Sequence, residues 1–186
     1  ICWCNAMRVD QNLSPLIEYS LGRNHSEENL LAGLIRDCII SMSSCAVNRE
    51  VCISLGGFND DFEIIEEWDL WIRIGLEYRL VYVDEILANI RFHESNTSKN
   101  YKLHFQEVSR MLTSFEKDKK ITLKDAKETR SWFKLRYLIV DISHCWKINK
   151  LYFPLSILKF LWFSLLNIKI ILLMSRYYLN PSLLKF

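Results

Sequence analysis

Apolar and polar positions alternate at the start of the chain, in "ICWCNAMRV" at 1–9, and this period of two predicts a strand. "DQNLSP" is turn chemistry. In "SEENLLAGLIRDC" the period changes: Leu30, Leu31, Leu34 and Ile35 recur at helical spacing behind Ser26, a good cap, so a helix is expected. "IISMSSCAV" reads as a strand of small and β-branched residues, and "NREVCISLGG" as a short helix ended by glycine. "FNDDFEII" is a loop, and "EEWDLWIRIGLEY" a helix with Leu70, Trp71 and Ile74 on one face. "RLVYVDE" and "ILANIRFHE" read as two strands joined near Asp84 and Glu85. From Tyr101 onward only helical patterns remain, the last of them running through "LYFPLSILKFLWFSLLNIKIILLMSRYYL". The pattern implies an α/β region over 1–100 and a helical extension over 101–186, with no internal repeat.

Composition agrees with a folded chain: of 186 residues, 50% are hydrophobic and 25% charged. The net charge of +2 hides an asymmetry. Residues 1–141 hold 18 basic and 22 acidic residues, whereas 142–186 hold six basic residues and no acid. A slightly acidic body is followed by a basic, apolar tail. Basic residues elsewhere are mixed with acids, which argues against a nucleic-acid surface. The six cysteines form no CxxC pair and no zinc spacing. Cys2 and Cys4 would share one strand face and are expected in the core. Scattered thiols point to a reducing compartment, and no basic-then-apolar leader is seen.

The stretch "GGFNDDFEIIEEWDLWIR" concentrates candidate chemistry. Glu66, Glu67 and Asp69 fall in the first turn of a predicted helix, where the macrodipole favours negative charge. Gly56 and Gly57 precede them and would allow close backbone approach to a ligand. Trp68 and Trp71 offer flat faces of the kind sugar rings stack on. His93 follows at a strand end, a common ligand position in α/β folds. Structural readings stand beside these: helix-terminal acids are ordinary, Trp71 could be core, and Arg73 lies four residues from Asp69, at ion-pair spacing.

In the order "SMSSCAVNREV", "LGGFNDDF", "EEWDLWIRIG", "LVYVDEILANIRFHESNTS", the chain resembles the second half of a family 2 glycosyltransferase with the GT-A fold, over about residues 38 to 98. The resemblance implies a partial Rossmann-like sheet with helices, followed by the helical extension. It implies inverting sugar transfer from a nucleotide-sugar donor to a glycan or lipid-linked acceptor, as in polysaccharide biosynthesis. Glu67 falls on the general base within the acid motif Glu66, Glu67 and Asp69. Gly56, Gly57 and Phe58 fall on the segment lining the sugars, with Trp68, Trp71 and Arg73 beside it. His93 falls on the Arg-x-His histidine that helps hold a divalent metal, manganese or magnesium, or the diphosphate. Two features depart from the family. Its second acid is normally aspartate, and here it is Glu67. Its Asp-x-Asp, with the nucleotide-binding half, has no counterpart in this sequence, so the chain is expected to be the acceptor-side half, a fragment.

The apolar run over 151–178 is broken by Lys159, Asn167 and Lys169, which disfavours a membrane span. Ser156, Lys159, Ser164 and Asn167 form a weak polar stripe on a helix that fits an anionic membrane surface. Bacterial sugar transferases with lipid-linked acceptors are often peripheral in this way, which implies a cytoplasmic protein at the inner face of the membrane. Two rival readings are a non-catalytic, partner-dependent interaction module and a membrane-associated structural protein whose tail does the work.

Overall fold

The computed structural model describes residues 1–19, 29–93, 100–148 and 153–168. The chain divides into two units, Ile1–Lys99 and Asn100–Phe186. The first is mixed α/β and the second helical.

The first unit is organised around β1 (Cys2–Val9). After it, the Asp10 carboxylate accepts the N–H groups of Asn12 and Ser14, each at 2.8 Å. That Asx-type turn returns the chain as β2 (Pro15–Tyr19), antiparallel to β1. Pro15 is tolerated because it is the first residue of its strand. Next come α1 (Leu30–Arg36), a 3-10 turn at Met42–Ser44, β3 (Cys45–Ala46), α2 (Arg49–Ser54), α3 (Glu66–Glu77) and β4 (Val81–Arg91). β3 is antiparallel to β1 and β4 is parallel to it. β4 accompanies β1 from Cys2 to Val9, and a strand has two edges, so β2 and β3 share the other edge, one beyond the other.

A polar network fixes the β1–β4 register. Asn5, 1% exposed, donates to Asp84 Oδ1 at 2.8 Å, and the Tyr82 hydroxyl lies 2.6 Å from Asn5 Oδ1. The Trp3 and Tyr82 rings meet at 5.6 Å. A slip of one residue would strand a buried amide and reverse every side chain.

α3 carries apolar side chains almost all round, and Trp68, Leu70, Trp71, Ile72 and Ile74 are all buried. It packs on α1, and the Trp68 indole donates to Leu34 O at 2.6 Å, one of the carbonyls at the end of α1 that lack a helical partner. Leu30, Leu34, Ile39, Ile40, Ile65, Trp3 and Ala6 complete the core. Gly75 permits the close approach, since a Cβ there would stand 3.1 Å from Leu31 Cδ1 and 3.2 Å from Leu80 Cδ1.

The second unit holds α4 (Tyr101–Lys117), α5 (Leu123–Ile148) and α6 (Phe153–Leu166). Thr122 caps α5: its hydroxyl accepts the Asp125 N–H at 3.1 Å and lies 2.6 Å from the Asp125 carboxylate. Lys119, at φ 56°, turns the chain between α4 and α5. Val108, Met111, Leu112 and Phe115 of α4 and Phe133 and Leu138 of α5 are buried.

Several expectations are corrected. "IISMSSCAV" is a 3-10 turn with a two-residue strand, because the chain there meets β1 only at Cys2 and Trp3. The two strands expected around Asp84 and Glu85 are one, β4, and the break between them is a register irregularity: Cys4 faces Val83 but Asn5 faces Ile86. β2 has no counterpart among the expected elements, and only its first residue, Pro15, fell in the expected turn. Cys2 and Cys4 are half-buried, and the core face of β1 carries Trp3 and Asn5 instead. The expected cap at Ser26 lies outside the described residues; within them α1 follows Asn29 without a side-chain cap. The chain is mixed α/β as expected, with a small sheet of four strands among the described residues.

Trp68→Phe is expected to remove one buried hydrogen bond and leave a small cavity, lowering stability by about 2–4 kcal/mol. Urea denaturation followed by circular dichroism measures it.

Candidate functional site at the start of α3

The site begins with the end of α2. Asn48 caps that helix, its side-chain oxygen accepting the N–H groups of Glu50 at 2.8 Å and Val51 at 3.3 Å. At the other end Gly56 N–H donates to Ile53 O at 3.0 Å and Gly57 N–H to Cys52 O at 2.8 Å. This is a Schellman closure, and it requires a left-handed residue after the cap. Gly56 has φ 89° and Gly57 φ 70°. A Cβ at either would meet nothing within 4 Å. The glycine pair is therefore explained by backbone conformation, not by close approach to anything.

The closure leaves the Leu55 and Gly57 carbonyls for Arg73. Its guanidinium donates to Leu55 O and Gly57 O, both at 2.6 Å, and meets the Asp69 carboxylate at 2.7 and 2.9 Å. Asp69 is 6% exposed. Asp69 and Arg73 thus form the ion pair their spacing allowed, and Asp69 is committed to positioning Arg73. Trp68 and Trp71 are each 1% exposed, so neither offers a ring face to a ligand. That corrects the expectation of a sugar platform there. The aromatic ring available beside the loop is Phe58, 49% exposed.

Glu66 and Glu67 remain, both half-buried in the first turn of α3. Burial raises the Glu67 carboxyl above its usual 4.5; its own backbone N–H opposes the shift, and the neighbouring Glu66 adds to it. Among the described residues, Glu66 Oε2 and Trp71 Nε1 are buried without a hydrogen-bond partner.

Two thiols, Cys38 and Cys45, feel the charge of Glu67. Burial, then the charges of Glu67 and Asp37, hold the Cys38 thiol well above its usual range. Cys45 is pushed up to about 11, first by burial and then by Cys52, with Cys4 and Glu67 adding to it and the chain's amino terminus opposing. Cys4, Cys38 and Cys45 lie near carbonyl oxygens of Ser44, Ile40 and Met42, at 3.4, 3.4 and 3.5 Å. Cys38 and Cys45 remain protonated at neutral pH and so are poor nucleophiles. The sequence carried no sign of this grouping, because the cysteines come from β1, the segment after α1, β3 and α2.

His93 is half-buried just past the end of β4. Among the described residues no three His, Cys, Asp or Glu side chains form a group that could hold a metal ion. No known protein family, curated protein or solved structure matches the chain.

Arg73→Gln is expected to leave Asp69 buried without its cation and to cost about 3–5 kcal/mol. Adding Asp69→Asn should recover part of that loss, and a double-mutant cycle in urea tests the coupling. The raised carboxyl of Glu67 binds its proton more tightly in the folded state. Its stabilising effect is complete below the unfolded value and is lost as pH rises through the folded one. Glu67→Gln should therefore stabilise the protein at neutral pH relative to wild type, and the advantage should vanish below the usual carboxylate range. Thermal melts across pH measure the difference.

Proposed function

We propose that this chain carries the acceptor side of a sugar-transfer site, with Glu67 as the general base. The observation that supports the reading most is Glu67 itself: a half-buried carboxyl with raised proton affinity, next to a loop that Arg73 holds rigid. A base works best when its proton affinity approaches the working pH, and burial moves Glu67 in that direction. Glu67 would take the proton of an acceptor hydroxyl as that oxygen attacks the anomeric carbon of a nucleotide sugar. The new glycosidic bond forms as the bond to the diphosphate breaks, and the nucleoside diphosphate departs with its electron pair. Phe58 offers an exposed face for the sugar ring, the part first given to the tryptophans. His93 is the residue the resemblance implies for the diphosphate and its metal. The donor nucleotide sugar and a glycan or lipid-linked acceptor are the partners of this reading, at the cytoplasmic face of a membrane.

A second reading, a module that needs another chain to hold the nucleotide, is supported by β4. Among the described residues this strand of 11 residues pairs with β1 alone, and Val81, Ile86 and Leu87 on it are exposed. A long edge strand of this kind is a template for a further strand.

The test is release of nucleoside diphosphate from nucleotide sugars in the presence of lipid-linked glycan acceptors. Turnover is expected to fall by about two to four orders of magnitude in Glu67→Gln, while circular dichroism is unchanged. Equal turnover in wild type and variant would remove Glu67 from the role of base. Turnover that appears only when a chain bearing a nucleotide-binding half is added would select the second reading.

A further inference from the structure

Helix α6 is inside out. A helix packed on a water-soluble protein turns its apolar stripe inward and its polar residues to solvent. On α6 the order is reversed. Leu158, Leu161, Trp162, Leu165, Leu166 and Ile168 are between 50% and 74% exposed. Leu158, Leu161, Trp162, Leu165 and Leu166 stand at i, i+3, i+4, i+7 and i+8 and make a continuous stripe on one face, with Ile168 just past the end of the helix. The polar residues lie on the other side. Ser156 is 4% exposed, and Ser164 and Asn167 are half-buried, Asn167 donating to Phe163 O at 2.8 Å. Three residues of the expected polar stripe, Ser156, Ser164 and Asn167, thus lie on the less exposed side of α6, which packs on α5, whereas Lys159 stays exposed.

From this reversal we infer that the outer face of α6 docks on the surface of an anionic phospholipid bilayer. Six large apolar side chains in contact with water are far more than scattered exposure explains, so something covers them. Charge complementarity identifies what. Lys159 is exposed at the rim of the stripe, and from residue 142 to the end of the sequence there are six basic residues and no acid. A second copy would bring the same positive charge, whereas an anionic headgroup layer attracts the exposed Lys159 and the basic residues of this stretch of sequence. Trp162 lies within the stripe, and tryptophan is favoured at the boundary between headgroups and acyl chains. The 14 residues of α6 extend about 21 Å, enough to lie along a bilayer surface. Among the described residues no helix is long and apolar enough to cross a membrane. The inference is independent of the sugar-transfer reading, since it rests on the second unit alone.

The experiment is flotation of the full chain with vesicles of phosphatidylcholine, with and without phosphatidylglycerol. Wild type is expected to float with the anionic vesicles, and less with neutral ones or in high salt. Leu161→Glu with Leu165→Glu should lower the partition coefficient by about tenfold or more. Both sites are exposed, so the helical circular dichroism and melting temperature of that variant should match wild type. A separate Lys159→Glu variant should weaken binding to anionic vesicles and leave binding to neutral ones unchanged. Wild type that does not float, or a double variant that floats equally well, would overturn the inference. So would concentration-dependent self-association that the double variant abolishes in the absence of any flotation, since a second copy would then be what covers the face.

Discussion

Arg73 stands where the start of α3 meets the end of α2. Its guanidinium reaches the Asp69 carboxylate on its own helix and two carbonyls, of Leu55 and Gly57, on the loop opposite. At an effective dielectric suited to such partly buried pairs the attraction is about 4 kcal/mol or more. Desolvation of both charges offsets much of that. The remainder is geometric: the planar guanidinium spreads five donors in a fixed fork that reaches the carboxylate and both carbonyls, whereas a lysine gathers its three donors on one atom. Without it the left-handed glycine pair would close α2 but stay unattached to α3. Glu67 would then start a helix with nothing to define the surface in front of it.

The same helix explains why the acids stand beside tryptophans. Trp68 and Trp71 are the packing side of α3, held against α1 by burial and, for Trp68, by the bond to Leu34 O. The acids occupy the first turn, where backbone N–H groups lack helical partners. Charge and aromatic surface are adjacent in sequence because a helix turns by about 100° per residue, and they point to different surroundings for the same reason. Glu67 lies between the two environments. Burial raises its proton affinity without neutralising it through a partner, unlike Asp69, which an arginine has claimed.

The two units place their apolar surface in opposite ways. In the first, α3 is enclosed almost all round. In the second, α4 and α5 bury their stripes, whereas α6 keeps its own outside. Composition alone cannot distinguish such helices, because a helix with one apolar face and one polar stripe has the same residues whichever side is turned inward.

The elements with a strong local signal were legible from the residues. β1 alternates, α2 has an Asn cap and a glycine stop, and α3 has acids at its start and apolar residues at helical spacing. The ion pair between Asp69 and Arg73 was legible as a possibility from its i, i+4 spacing. Other features depended on partners distant in the chain. β3 is two residues long because β1 meets it only there, and β4 is one strand because β1 runs beside it on both sides of the irregularity at Asp84 and Glu85. The two thiols that Glu67 acts on, Cys38 and Cys45, come from separate segments and share no motif spacing in the sequence. The amino-acid order determined which residues could form helices and strands and where charge would gather, since those preferences act over a few neighbouring residues. Tertiary packing decided which faces were buried, and so gave Glu67 its proton affinity, withdrew the tryptophans from any ligand and left α6 with its apolar face to solvent, because burial depends on what the rest of the chain brings alongside.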